Sequence, residues 1–247
     1  MRYFLELAYN GTRFQGYQKQ PHGQTVQSTL EKGLSTLLRH PTSIVGCGRT
    51  DTGVHAKQYF AHFDTEHTIS DNFIYALNAL TGYDIEIYKV HQVADNAHAR
   101  FDAYSRSYKY FINTKADPFQ QETVYYHPKS QHINRNKLQE AAQLLLEYDE
   151  FATFCKTNTD TKTRSCRLTH SEWTTDEERN QLVYHISANR FLRGMIRLIV
   201  GMCINVSRGK LPLEQVKKAL EEQASLKLAW SVPPQGLFLT DIKYPYL

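Results

Sequence analysis

The chain is poor in cysteine, with four in 247 residues and no Cys-x-x-Cys pair among Cys47, Cys155, Cys166 and Cys203. So sparse a set excludes a disulfide scaffold, and its spacing excludes a zinc finger or ribbon. The four are read as reduced thiols. A long apolar run is also lacking. The longest, Leu198 to Val206, is about half a membrane span and follows Arg197. Met1-Arg2-Tyr3-Phe4-Leu5-Glu6 meets a carboxylate too early for a signal peptide. The expectation is a soluble, cytoplasmic protein with no membrane partner. Nucleotide-cofactor motifs are missing too: Gly46-x-Gly48 does not continue into a dinucleotide fingerprint, and there is no Walker-type loop or serine nucleophile elbow. His55 and His62 have no evident third ligand, so no metal is expected.

What is present is ordinary for a folded domain. Hydrophobic residues make up 41% and charged residues 22%, which excludes disorder and collagen-like repeats. Lys and Arg number 29 against 25 Asp and Glu, a net charge of +4 that suits an anionic partner without requiring one.

The hydrophobic pattern divides into two α+β stretches. Arg2 to Tyr9 reads as a strand ended by Asn10-Gly11, followed by a polar loop to Gly23. Val26, Leu30, Leu34, Leu37 and Leu38 recur at helical spacing behind Thr25 as N-cap, and Pro41 closes that helix. A short strand at Ile44-Val45, a strand around Tyr59 to Phe63, a helix from Phe73 to Leu80 and a strand near Ile85 to Tyr88 complete a β-α-β-β-α-β order. That order is the split pattern of ferredoxin-like domains. In the remainder we expect a strand at Arg106 to Asn113, a helix capped near Asn134, and a hairpin of Ser171–Trp173 with Leu182–Ile186. A helix from Phe191 to Val206, a helix with Pro212 at its first position, and a closing strand from Gly236 to Lys243 follow. The domains are set at 1–104 and 105–247, packed rigidly with a cleft between them.

Three segments can carry chemistry. Gly46 to Ala56 holds three glycines around Arg49 and Asp51, which on an extended chain point to one side. A carboxylate beside a guanidinium stays ionised and can act as a nucleophile toward carbon. The same spacing also fits a tight turn with a structural Arg–Asp pair. Cys47 nearby is read as a small buried thiol. Arg100 to Phe111 interleaves aromatic and basic residues, a pattern that suits an unpaired base on a ring with cations on its phosphates, or a strand with rings facing the core. Tyr108 and Tyr110 share one strand face there. Asn189 to Lys210 contains Arg190, Arg193, Arg197, Arg208 and Lys210 and no acid; the first three are spaced as a helical stripe. Arg197 sits in an apolar run, where an arginine is seldom buried without a partner. Asp51 can supply that partner. Lys156, Lys162, Arg164 and Arg167 form a looser basic patch, read as phosphate contacts.

Gly48-Arg49-Thr50-Asp51-Thr52-Gly53-Val54-His55-Ala56 resembles the catalytic motif of the tRNA pseudouridine synthase A family. Leu7 to Gln18 is similar to that family's opening strand and loop, Phe191 to Gly201 to its late helix, and Pro233 to Leu237 to its closing segment. Tyr17, where many relatives have Trp, and Arg193-Gly194 before Met195 depart from the pattern. The resemblance implies two ferredoxin-like, RRM-like α+β halves whose antiparallel sheets join into one central sheet flanked by helices, with a basic cleft between them. It implies a homodimer that isomerises uridine to pseudouridine in the tRNA anticodon stem-loop, at tRNA positions 38, 39 and 40, without metal or organic cofactor. By the same resemblance Asp51 is the essential carboxylate, paired with Arg197. Arg49 places the flipped nucleotide, Tyr108 stacks on the base, and Arg190, Arg193, Lys162 and Arg164 bind substrate. Two other classes stay open: a non-catalytic RNA-binding module of paired ferredoxin-like units, and a carboxylate-dependent hydrolase of a small substrate.

Overall fold

The structure is a computed structural model and describes residues 1–70, 72–155 and 163–247. Its contacts divide the chain into two compact units, Met1–Tyr104 with Phe238–Leu247, and Ser105–Leu237. Both mix helices and strands, as expected of an α+β chain. The domain division at 105–247 had put the closing segment in the second half. It packs with the first unit instead, because the last strand pairs with a strand of that unit.

In the first unit the strands are β1 (Arg2–Tyr9), β2 (Val45–Gly46), β3 (His55–Asp64), β4 (Ile85–Val93) and, from the chain's end, β9 (Leu237–Lys243). β1 runs antiparallel to both β3 and β4, with Leu5 opposite Ala61 on one side and Val90 on the other. The two-residue β2 lies against one end of β3, and β9 runs parallel to the other end, where His55 meets Phe238. Alternation along β1 sorts the faces. Tyr3 stacks on Phe63, which in turn stacks on Phe73 of the helix α2 (Phe73–Thr81). On the other face, Phe4 meets the edge of Tyr244 at 5.4 Å, so the C-terminal tail covers that side.

The helix α1 (Val26–Leu38) begins as its sequence predicts. The Thr25 hydroxyl accepts from Ser28 N at 3.1 Å, and the Ser28 hydroxyl accepts from Thr25 N at 3.1 Å, a reciprocal capping box. Four of its five buried residues, Val26, Leu30, Leu34 and Leu38, recur every fourth position. The helix stops at Arg39, which takes a left-handed conformation (φ 59°), two residues before Pro41.

In the second unit β5 (Ser105–Asn113), β8 (Gln181–Ala188) and β7 (Leu168–Asp176) lie in that spatial order, all antiparallel, with β6 (Tyr125–Tyr126) parallel to β5. The hairpin β7–β8 is longer than its expected core at both ends. The helix α3 (Arg135–Leu144) is capped by Asn134, whose side chain accepts from Lys137 N. α4 (Met195–Ser207) and α5 (Leu213–Glu221) follow, with Pro212 at the N-cap of α5 and not inside it.

The start of α4 corrects the sequence reading. A helix was expected from Phe191, with Arg190, Arg193 and Arg197 as one stripe. Gly194 instead takes φ +72°, a left-handed turn that a running helix cannot contain, and the helix begins at Met195. Arg190 and Arg193 therefore belong to the segment between β8 and α4. Eleven of the thirteen residues of α4 are buried, a core helix, and no helix among the described residues is long and apolar enough to cross a membrane.

Candidate active site

The segment after β2 is shaped by turns. Cys47 N still donates to Phe60 O at 2.8 Å, after which the chain leaves β3 and returns to it at His55. Asp51 O accepts from Val54 N at 3.1 Å, closing a four-residue turn. Gly53, third in that turn, has φ +75°, the position at which type II turns need glycine. Asp51 is half-buried at the first position of the turn.

Its neighbours are fixed from both sides. The Tyr59 hydroxyl donates to Gly48 O. The Tyr9 and Thr50 hydroxyls lie 2.9 Å apart, and Tyr17 N donates to Thr50 O at 3.3 Å. Gly16 packs so closely there that a Cβ on it would stand 2.5 Å from Thr50 O. Beyond the turn, Gly11 N donates to His55 Nδ1 at 3.0 Å, and the His55 ring stacks on Phe238 at 4.5 Å. Tyr17 and Tyr59 stack with centroids 4.4 Å apart, and Tyr9 meets Tyr59 edge-on at 5.5 Å. Burial pushes the hydroxyls of Tyr17 and Tyr59 well above the ordinary phenol range, so Tyr59 is a neutral donor at physiological pH.

Arg49 is exposed and makes no hydrogen bond or ion pair with any other described residue. A structural Arg49–Asp51 pair, one of the two arrangements the spacing allowed, is therefore not formed. Residues 49–51 belong to no strand and lie between bends at 47–48 and a turn at 52–53. His62 is likewise accounted for: its Nδ1 accepts from Ala99 N at 3.1 Å. None of the four cysteines forms a disulfide, and Cys47 is buried as expected.

The second unit holds the other candidates. Tyr108 sits on β5 opposite Ile186, half-buried, with its ring edge-on to Phe191 at 5.2 Å. Tyr110 is fully buried and its hydroxyl donates to Pro233 O at 2.7 Å, which makes it a core ring. Tyr104 is 57% exposed but belongs to the first unit. Arg190 is half-buried and Arg193 exposed. Arg197, in the first turn of α4, donates through Nε to Val232 O at 2.7 Å, while its own carbonyl accepts from Val232 N at 3.2 Å. That reciprocal clamp accounts for an arginine in an apolar run within its own unit. Arg164 and Arg167 are exposed; Lys156 and Lys162 lie outside the described residues.

A family model described as tRNA pseudouridine synthase matches residues 141–245. The chain is 46% identical to tRNA pseudouridine synthase A of Parabacteroides distasonis over 246 residues, covering 99% of this chain and 96% of that protein. It is 45% identical to the protein of that name from Bacteroides thetaiotaomicron over 250 residues, 99% of this chain and 91% of the relative. The relative of that name in Porphyromonas gingivalis is 40% identical over 251 residues, again 99% of this chain and 97% of its own length.

The chain belongs to the tRNA pseudouridine synthase A family.

Within this family the sequence motif around Asp51 can be read as a built turn. Sequence reasoning missed the parts that hold it: Tyr9 at the end of β1, Tyr59 on β3, and Gly16 in the loop between β1 and α1. Their one legible signal was aromatic residues on both strands that flank a glycine-bearing turn. Tyr17 stood out only as a departure from tryptophan, yet its ring completes the stack under the turn.

Proposed function

We propose that this member of the tRNA pseudouridine synthase A family isomerises uridine to pseudouridine in the anticodon stem-loop of tRNA, with Asp51 as the essential carboxylate. The observation that carries this reading is the turn itself: Asp51 is half-buried on a segment whose flanking residues are held at Gly48, Thr50, Val54 and His55. Electrostatic and nucleophilic catalysis both need such a group aimed before substrate arrives.

The reaction breaks the ribose C1′–N1 bond and joins C1′ to C5, after which the C5 proton is lost and N1 gains one. No electron is gained or lost overall. An ionised carboxylate can begin it by attacking C1′, by attacking C6, or by taking the C2′ proton. The target base first leaves its stack, at a cost of a few kcal/mol.

The remaining roles belong to the same proposal. Arg49, with no described partner, is suited to place the flipped nucleotide. Arg197 is the proposed cation for Asp51; with Nε committed to Val232 O, it would meet a carboxylate through its terminal nitrogens. Tyr108 is the proposed stacking ring, supported by its partial exposure where Tyr110 is buried. Arg190, Arg193, Arg164 and Lys162 are proposed phosphate contacts. The strand order β4-β1-β3-β2 supports a ferredoxin-like reading of the first unit, and we extend that reading to the second. A cytoplasmic homodimer completes the proposal.

Incubating the protein with unmodified tRNA and mapping every uridine tests it. Pseudouridine confined to the anticodon arm is the expected result. Modification elsewhere in the tRNA, or none, would overturn the substrate assignment.

A further inference from the structure

The basic run from Asn189 to Lys210 ends in two cations that the proposed reaction does not use, Arg208 and Lys210. α4 closes at Arg208, whose backbone N–H donates to Ile204 O. The chain then turns through Gly209, and Lys210 N donates back to Asn205 O at 2.9 Å. Both side chains thus sit at the C-terminal end of α4, while Arg193 precedes its N-terminal end. A helix of this length separates the two by about 20 Å.

Cations at a helix C-terminus gain from its dipole, and that alone would explain the charges. It does not explain two buried polar atoms, one of them on Arg208 itself. His127 is 4% exposed, and its Nε2 is buried without a hydrogen-bond partner among the described residues; Arg208 Nε is in the same condition. The other ring nitrogen of His127, Nδ1, is 3.1 Å from the Tyr125 hydroxyl, and His127 N donates to Asn113 O. Trp230 walls the group, 6.1 Å from the Tyr125 ring and 6.2 Å from His127. With Nδ1 accepting from the Tyr125 hydroxyl, Nε2 carries the ring proton, and two buried N–H groups without a partner among the described residues suit an anionic acceptor.

The surroundings select the sign of that acceptor. Burial first, then the positive charges of Arg208, Lys210 and Lys129, hold the His127 imidazole down to about 4. The ring is therefore neutral at physiological pH. Lys129 and Lys210 are exposed, so the group opens to solvent on its charged side.

We propose that Lys129, Arg208 and Lys210, together with the buried His127, form a phosphate-binding site in the second unit, separate from Arg190 and Arg193. Its ligand is a phosphate group carried either on an RNA backbone or as a free ion. The site stands apart from the assignment of Asp51, because its readouts are binding and not turnover.

The test uses the full chain with two probes, inorganic phosphate and unmodified tRNA. With ring-labelled histidine, phosphate should shift the His127 resonances of the wild type and leave those of the exposed pair variant Lys129→Ala/Lys210→Ala in place. For tRNA, the same variant should flatten the plot of log affinity against log salt by about one to two contacts. A phosphate shift with an unchanged tRNA slope would support the site and assign it to a free ion. A flattened slope would assign it to RNA backbone. No phosphate shift and an unchanged slope together would overturn the proposal. Asp51→Asn should keep both responses, so failure here is distinct from failure of the catalytic assignment.

Discussion

The Tyr9 hydroxyl stands 2.9 Å from the Thr50 hydroxyl, tying the end of β1 to the residue before Asp51. This single bond links the most regular part of the first unit to the most irregular. If the turn matters through its geometry, loosening it should slow the chemistry more than it weakens tRNA binding.

Tyr9→Phe removes that bond and keeps the buried ring. A stability loss of about 0.5–1.5 kcal/mol is expected. Turnover should fall with KM nearly unchanged, since a barrier raised by about 1.4 kcal/mol costs about tenfold in rate. Steady-state kinetics beside chemical denaturation separates the two effects. A full kcat would mean that Thr50 needs no such tie.

Gly16→Ala tests the close approach beneath the turn. Gly16 has φ +81°, and a Cβ there would stand 2.5 Å from Thr50 O. Left-handed strain and the clash together should cost on the order of 1–3 kcal/mol. The variant should melt earlier and lose activity in proportion to the displaced turn. A melting temperature equal to wild type would show that the loop can move away freely.

His62 gives a pH dependence with a fixed sign. It is 5% exposed, and burial first, then the charges of Arg2 and His98, hold its imidazole down to about 4. An unfolded histidine titrates near about 6.5, so between these values the unfolded chain binds the extra proton. The stability from His62 is complete above that unfolded value and is lost as pH falls toward 4, by up to about 1.4 kcal/mol per pH unit. His127 titrates in the same window. His62→Asn should reduce the slope of stability against pH there without abolishing it. An identical slope in wild type and variant would contradict the assignment.

Much of the fold was legible because its signals are local. Thr25 and Asn134 announced their helices as caps, and both side chains make the capping bond. The β-α-β-β-α-β order of the first unit could be read from periodicity for the same reason. The start of α4 was not legible, since Phe191 to Val206 is strongly apolar on both sides of Gly194, whose backbone angle separates loop from helix. The placement of the closing strand was illegible in another way: its partner β3 lies far away in sequence, at His55 and Ala56. At the site, the motif around Asp51 was visible as glycines and charges. Its supports are tyrosines, which in a sequence look like any core residue. The spacing of Arg49 and Asp51 left two arrangements open, and the ion pair between them is the one that is not formed.

The central claim rests on one carboxylate, and tritium release from tRNA labelled at uridine C5 measures its work directly, since the C5 hydrogen leaves only when the base rejoins through that carbon. Asp51→Asn should fold, bind tRNA like the wild type, and release no tritium above background. Release at a measurable catalytic rate from that variant would contradict the account.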